Sequence, residues 1–566
     1  MPLKTSAKDS KIRICVTNRF WKKRREKMQE YAIRNAVIID GTGKDRFNGT
    51  VCVKNGFIDR VTAEEPPEGM PAIDAKGHIV CPGFIDAHGH SDFTLFVNHR
   101  GESKVRQGIT TEVTGNCGFT AGPINEKHYD DQVHYLANTI VLDEKLQKIW
   151  HFKSQDEFLK WSARDGLSFN IVPLVGLGMI HVGVMGFESR TPDEAELQKM
   201  KDMLCAELDA GFFGMSAAFE YEPCNTLDRE EVYELCRVLK DRNRIFTIHM
   251  KNEGMNLIEN VKDAIEIARN SGCRVEISHL KSRFIPNWGR VKDALKLIDE
   301  ARSEGLDVCF DVYPYTAYGA GLIDLVPPWA KKDGPRIMCA RLQDPDLKAK
   351  ALYDMEHGLE DWDSIMKSPG WGKLVSIASL KTAPNKRFEG KTVSQMAEEL
   401  GITDYEAVVK LMVDEDASVK CVWHAMCDDD LEAVMTHPGA IFGTDGRACA
   451  TYGPLSSGAV HPRYYGNYPR IMGHYVREKK LMSLEEAIHK STQMPAERFG
   501  IDRRGLLLPG YHADIVIFDP DTIREVSTFE KPHQYPEGID RVIVNGRSVI
   551  INGEHTGELP GEILRV

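Results

Sequence analysis

An α/β fold, a (β/α)8 TIM-like barrel, is predicted by two features of the chain. Eight apolar runs of strand length follow one another, HIVCPGFIDA, GITTEVTG, FNIVPLVG, GFFGMSAA, RIFTIHM, RVEISHL, LDVCFDVY and GAIFGTDG, with helix-period stretches such as DEAELQKMKDMLCAELDAG and REEVYELCRVLKDRN between them. Side chains capable of chemistry also gather at the C-terminal ends of these runs, where such barrels build their sites. His88 and His90 follow the first run, Cys117 the second, His249 and His279 lie at the fifth and sixth, Tyr313 at the seventh and Asp445 at the eighth.

The two chain ends have another rhythm. IRNAVIIDGTG, GTVCVKNGFIDRV, ADIVIFDP and DRVIVNGRSVI alternate apolar and polar residues and close on Gly, Asn or Asp, the pattern of antiparallel hairpins. Each end is too small to fold alone, so 31–78 and 503–566 are expected to pair into one small β-sandwich around the barrel of 79–321 and 396–502. More than a hundred residues separate the seventh and eighth runs, far beyond one crossover helix, and 322–395 is expected to form an inserted lid or small subdomain. Residues 1–30 are dense in Lys and Arg and are expected to be a solvated, poorly ordered leader.

Composition bounds the function. With 72 Lys and Arg against 84 Asp and Glu, a net charge of -12, the chain is not expected to bind nucleic acid or an anionic membrane. Its 13 cysteines are scattered, several in apolar runs, without a CxxC pair. Such thiols point to a reducing compartment, and the expected location is the cytoplasm. No apolar run reaches the ~20 residues of a membrane span.

The spacing of His88 and His90 in PGFIDAHGHSD lets two imidazoles on one side of a strand hold one cation. His249 in FTIHMKNEG and His279 in EISHLK each add a neutral nitrogen of the kind zinc favours. Cys117 in GNCGFTAG lies between glycines, which allow close backbone approach; its thiol reads as a metal ligand, a buried small residue or a nucleophile. Asp445 in FGTDG adds a carboxylate. A cation bound there makes water a nucleophile at neutral pH, and Asp445 beside it can carry the proton, the two parts that hydrolysis of an amide needs.

Taken with GITTEVTGNCG, DVYPYTA, RFEGKT, HPRYYGNYPRIMGHYVREKKL, STQMPAERFGI and GLLLPGYHADIVIFDP, these phrases resemble the N-acyl-D-amino-acid deacylases (D-aminoacylases) of the amidohydrolase superfamily, over about 31–566. The resemblance implies zinc-dependent hydrolysis of small N-acyl-D-amino acids. It implies a tightly bound Zn2+ on Cys117, His249 and His279, and a second, weaker position on His88, His90 and Asp445, with Asp445 as acid and base. It assigns Lys281, Tyr313 and Arg463 to the substrate's α-carboxylate, and Trp423 and Met426 to its side-chain pocket. It also implies that no carboxylated lysine bridges two metals, and the fourth run, ending GMSAAF, offers none.

Several positions depart from the family pattern. Gly319 stands where a carboxylate-binding serine is usual, Leu177 and His181 replace a histidine and an arginine after the third run, and Glu220 replaces an apolar or aromatic pocket residue. The loop 445–461 is longer than usual. These differences leave open another amide hydrolase on the same site, a dipeptidase for D-residues or a cyclic-amide hydrolase, or a non-catalytic scaffold.

Overall fold

The computed structural model describes residues 30–566 except 137–139, 141–143, 189, 333 and 361, so the basic leader falls, but for Glu30, outside the described residues. Eight parallel strands form the central sheet: β1 (Phe84–Asp86), β2 (Ile109–Thr114), β3 (Asn170–Gly176), β4 (Gly214–Ala218), β5 (Ile245–His249), β6 (Arg274–Ile277), β7 (Val308–Val312) and β8 (Ala440–Phe442). Each pairs with its neighbour in chain order. The ring closes where Ala87 N donates to Phe442 O (3.2 Å), Asp445 N to His88 O (2.7 Å) and His90 N to Gly446 O (2.9 Å). These closing bonds tie the ligand-bearing segments after β1 and β8 together.

Continuous apolar runs suit strands covered on both faces. Among the covering helices, Glu194–Asp209 starts with a capping box between Asp193 and Glu196 and buries Met200, Leu204 and Leu208, spaced by four. Helix Arg229–Asp241 buries Val232, Leu235, Cys236 and Leu239, the i, i+3, i+4, i+7 stripe of one helix face.

The first apolar run is not one strand, as its uninterrupted hydrophobicity predicts, but two in different sheets. It breaks at Gly83, where a Cβ would lie 2.1 Å from Thr110 Oγ1, so only glycine lets the chain pass so close to β2. Before the break, Ile79–Pro82 pairs antiparallel with Ile515–Phe518 and parallel with Glu30–Ile38. It thereby joins the two chain ends in one nine-stranded sheet, with an apolar core that includes Ile33, Val51, Val80, Ile515 and Ile543.

Between β7 and β8 the chain builds a unit with its own apolar core, including Leu322, Met338, Ile377, Leu411 and Met412. Its three-stranded antiparallel sheet takes Tyr318–Gly321 and Val375–Ser379 on either side of Lys420–Trp423. Two of those strands lie outside 322–395, because residues about a hundred positions apart pair to close the unit. It is fastened at the barrel mouth, where Phe284 N donates to Ala425 O (2.7 Å) and Met426 N to Thr316 O (3.2 Å). No helix among the described residues is long and apolar enough to cross a membrane.

Candidate active site

The strand ends bring five of the six predicted metal-ligating residues into two overlapping groups whose donor atoms lie within 4.8 Å of one another: His88, Cys117 and His279, and His88, His90 and Asp445. The sixth, His249, points Nδ1 at the same sulfur. Cys117 Sγ lies 3.3 Å from His88 Nε2, 3.8 Å from His249 Nδ1 and 3.9 Å from His279 Nε2. Asp445 Oδ1 lies 3.2 Å from His90 Nε2 and 3.8 Å from His88 Nε2. His88 thus stands between the two groups, closer to the sulfur than to the carboxylate.

Three of these residues have left-handed backbone, Cys117 (φ 54°), His279 (φ 39°) and Asp445 (φ 45°). That conformation is unfavourable for side chains with a Cβ and persists where surrounding contacts impose it, commonly at functional sites. Close packing adjoins the first of them: Gly115, with φ 77°, passes so near Leu174 O that a Cβ would come within 2.3 Å. The tight turn after β2 then aims the Cys117 thiol into the ring of imidazoles.

Each imidazole that faces the sulfur is held from behind by a carboxylate. His88 Nδ1 lies 3.2 Å from Asp311 Oδ2, His279 Nδ1 2.9 Å from Glu253 Oε1, and His249 Nε2 2.8 Å from Glu220 Oε2. Because a carboxylate only accepts, it favours a hydrogen on the far nitrogen, which would leave the near one to offer its lone pair once a metal is bound; at His279 the far nitrogen also lies 2.8 Å from Lys281 Nζ. Asp311 and Glu253 have little sequence signal of their own; each is the one acid in a conspicuous phrase, DVYPYTA and HMKNEG.

With its imidazoles neutral, the cluster carries more acids than fixed cations and would favour a bound cation. Burial would raise the Cys117 thiol, but the charge of His88 and hydrogen bonds from His249 and His279 pull it well below its ordinary value. Burial likewise opposes ionisation of Asp445, and Arg463 with His90 holds it well below the usual carboxylate range. Glu220, Glu253 and Asp445 each meet a cationic side chain, Arg283, Lys281 and Arg463. Cys117 and Asp311 meet imidazoles instead. One thiolate with several imidazoles and a nearby carboxylate is a donor set that zinc fits.

The expected carboxylate-binding residues gather beside Asp445. Arg463 gives one nitrogen to Asp445 Oδ2 (3.0 Å) and stacks 4.6 Å over the Tyr313 ring. Its Nε and other terminal nitrogen, and the Tyr313 hydroxyl, are buried without a hydrogen-bond partner among the described residues. Lys281 is engaged, 2.7 Å from Glu253 Oε1 and 2.8 Å from His279 Nδ1. A Cβ added to Gly319 would meet Arg463 at 3.7 Å, so the missing serine would have stood beside this group. Trp423 and Met426 belong to the core of the inserted unit; Trp423 stacks on Tyr318 (5.8 Å), whose ring also takes the Arg283 guanidinium at 5.3 Å. Of the other departures, Leu177 is core and His181 pairs with Glu231 (3.1 Å). Strand β4 offers no lysine.

Known proteins share this architecture. The Amidohydrolase family profile matches residues 355–550. An N-acyl-D-aspartate deacylase of Alcaligenes xylosoxydans xylosoxydans is 31% identical over 94% of this chain and 95% of its own length. An N-acyl-D-glutamate deacylase of the same organism is 29% identical over 95% and 96%. The crystal structure of an N-acyl-D-glutamate deacylase from Bordetella bronchiseptica, complexed with zinc and a phosphonate inhibitor that mimics the tetrahedral intermediate, superposes with a TM-score of 0.78 at 30% identity, covering 95% of this chain and 100% of that one. Similar along nearly its whole length in both sequence and fold, this chain belongs to the N-acyl-D-amino-acid deacylases of the amidohydrolase family.

Proposed function

We propose that the protein is a zinc-dependent hydrolase that cleaves the amide of small N-acyl-D-amino acids, giving a carboxylate and a free D-amino acid. The observation that carries this reading is the Cys117 sulfur facing three imidazoles beside the His90–Asp445 pair. We assign a tight zinc to Cys117, His249 and His279, and a weaker second position to His88, His90 and Asp445. Zinc bound there would supply an activated water at neutral pH and polarise the scissile carbonyl.

The remaining steps are work for the chain's own groups. Asp445 is held ionised, so it starts as base: Oδ1 takes the proton of the attacking water while Arg463 fixes Oδ2. As the C–O bond forms and the C–N bond breaks, the same carboxyl returns that proton to the leaving nitrogen. The unpartnered nitrogens of Arg463 and the Tyr313 hydroxyl, joined by Lys281, take the substrate's α-carboxylate. Trp423 and Met426 border its side chain, and the inserted unit, widened to include Tyr318–Gly321 and Lys420–Trp423, serves as the lid. Buried free thiols such as Cys81, Cys273 and Cys421 suit a reducing compartment, and we place the protein in the cytoplasm.

The test is release of free amino acid from N-acetyl derivatives of D-aspartate, D-glutamate and D-methionine and of their L-forms, with zinc supplied. Turnover of at least one D-derivative in preference to its L-form is expected. Turnover confined to L-derivatives, or to cyclic amides run in parallel, would overturn the reading.

A further inference from the structure

Glu220 stands where the family pattern expects an apolar or aromatic pocket residue, yet it does not offer a free carboxylate to the pocket. It follows β4, and its loop is tied to the end of β5 by Phe219 N donating to His249 O (2.9 Å). Oε2 then lies 2.8 Å from His249 Nε2, and Oε1 accepts from the Arg283 guanidinium at 2.8 Å. Both oxygens are engaged.

The arrangement repeats what surrounds the other two imidazoles. Asp311 stands behind His88 and Glu253 behind His279, and both of those rings turn Nε2 to the sulfur and Nδ1 to their acid. His249 is reversed, with Nδ1 toward the sulfur. In that orientation its Nε2–H points to the loop after β4, and an apolar residue at 220 would leave this hydrogen without the acceptor that now fixes the ring. Arg283 joins two of the three acids, since its Nε also lies 3.7 Å from Glu253 Oε2 and its backbone N donates to Glu253 O (2.8 Å).

We propose that Glu220 is a positioning residue for the metal ligand His249, held in place by Arg283, so that this chain has a carboxylate behind each imidazole of its thiolate site. The inference rests on the metal reading above. A carboxylate that accepts the far N–H of a ligating imidazole fixes its tautomer and raises its basicity, and its loss typically lowers metal affinity about 10- to 100-fold.

The test uses the full chain, stripped of metal and titrated with zinc against a competing chelator, and then with cobalt to read the thiolate-to-metal absorption band. Glu220→Leu is expected to weaken zinc about 10- to 100-fold and to alter the cobalt band. Glu220→Gln, which keeps an acceptor for Nε2–H but no charge, is expected to fall between Glu220→Leu and the unaltered protein. Since Glu220→Leu strands the Arg283 guanidinium, the double variant Glu220→Leu/Arg283→Met is measured beside it, with urea unfolding to confirm a folded chain. The double variant is expected to bind zinc as weakly as Glu220→Leu. Unchanged zinc affinity and cobalt band in folded Glu220→Leu would overturn the proposal, as would restored affinity in the double variant. An unaltered protein that takes up no zinc would instead overturn the metal reading beneath it.

Discussion

Cys117 Sγ and His88 Nε2 lie 3.3 Å apart at the ends of adjacent strands, and the other nitrogen of that imidazole is held by Asp311. A buried thiol so placed is pulled toward the thiolate, the form that binds metal. His88 is also 3.8 Å from Asp445 Oδ1, so one ring borders both candidate metal positions. Variants separate the roles of the six proposed ligands.

Cys117→Ala is expected to lose tightly bound zinc, whereas Asp445→Ala keeps it and loses about 10²- to 10⁴-fold in kcat, the usual contribution of a general acid–base group. Metal analysis after gel filtration, with kcat on the same samples, checks both. Zinc retained without the thiol, or full turnover without the carboxylate, would refute these assignments.

Gly319 has ordinary backbone geometry, and the space beyond its Cα reaches Arg463 at 3.7 Å. Gly319→Ser should therefore fit and add a donor beside the proposed carboxylate site. We expect a lower KM, by a few-fold, with kcat little changed, measured by steady-state kinetics. A raised KM would place the α-carboxylate elsewhere.

Lys104 is fully buried, 2.6 Å from Asp86 Oδ2, 2.7 Å from Thr444 Oγ1 and 3.4 Å from Glu112 Oε2. It pairs with two acids where β1, β2 and β8 meet. Lys104→Met removes the cation these buried acids share and is expected to cost about 3–5 kcal/mol in urea unfolding. A loss below about 1 kcal/mol would show that the closure does not depend on this ion cluster.

Glu207, on the helix before β4, is pushed up by burial from 4.5 to about 7, against hydrogen bonds from the backbone of Gln155 and Asp156. A carboxyl raised in the folded state holds its proton more tightly there than in the unfolded chain. Its contribution to stability is fully present below pH 4.5 and is lost as pH rises through about 7. Glu207→Gln should remove this dependence, gaining stability over the unaltered protein at pH 8 but not at pH 4.5, with a difference on the order of 3 kcal/mol. Equal stability differences at the two pH values would refute the shift.

Much of the architecture is legible in the sequence because buried parallel strands must be apolar along their length and their ends need not be. That contrast exposes His88, Cys117, His249, His279 and Asp445. The break at Gly83 is less legible, since Ile79–Pro82 and Phe84–Asp86 form one hydrophobic run and only the approach of Thr110 separates them. Asp311 and Glu253 are hidden for another reason. An acid behind an imidazole is chosen by the fold across 223 or 26 residues, and no spacing reveals it. Glu220 is visible as an oddity, but its use becomes apparent only with His249 and Arg283 in place.

Removing and restoring the metal tests the central claim most directly: turnover of N-acetyl-D-amino acids by one preparation before chelation, after it, and after zinc is returned. Activity should vanish with the zinc and return with it, for the D-substrates that the intact enzyme accepts. Full turnover by the metal-free protein would contradict the account.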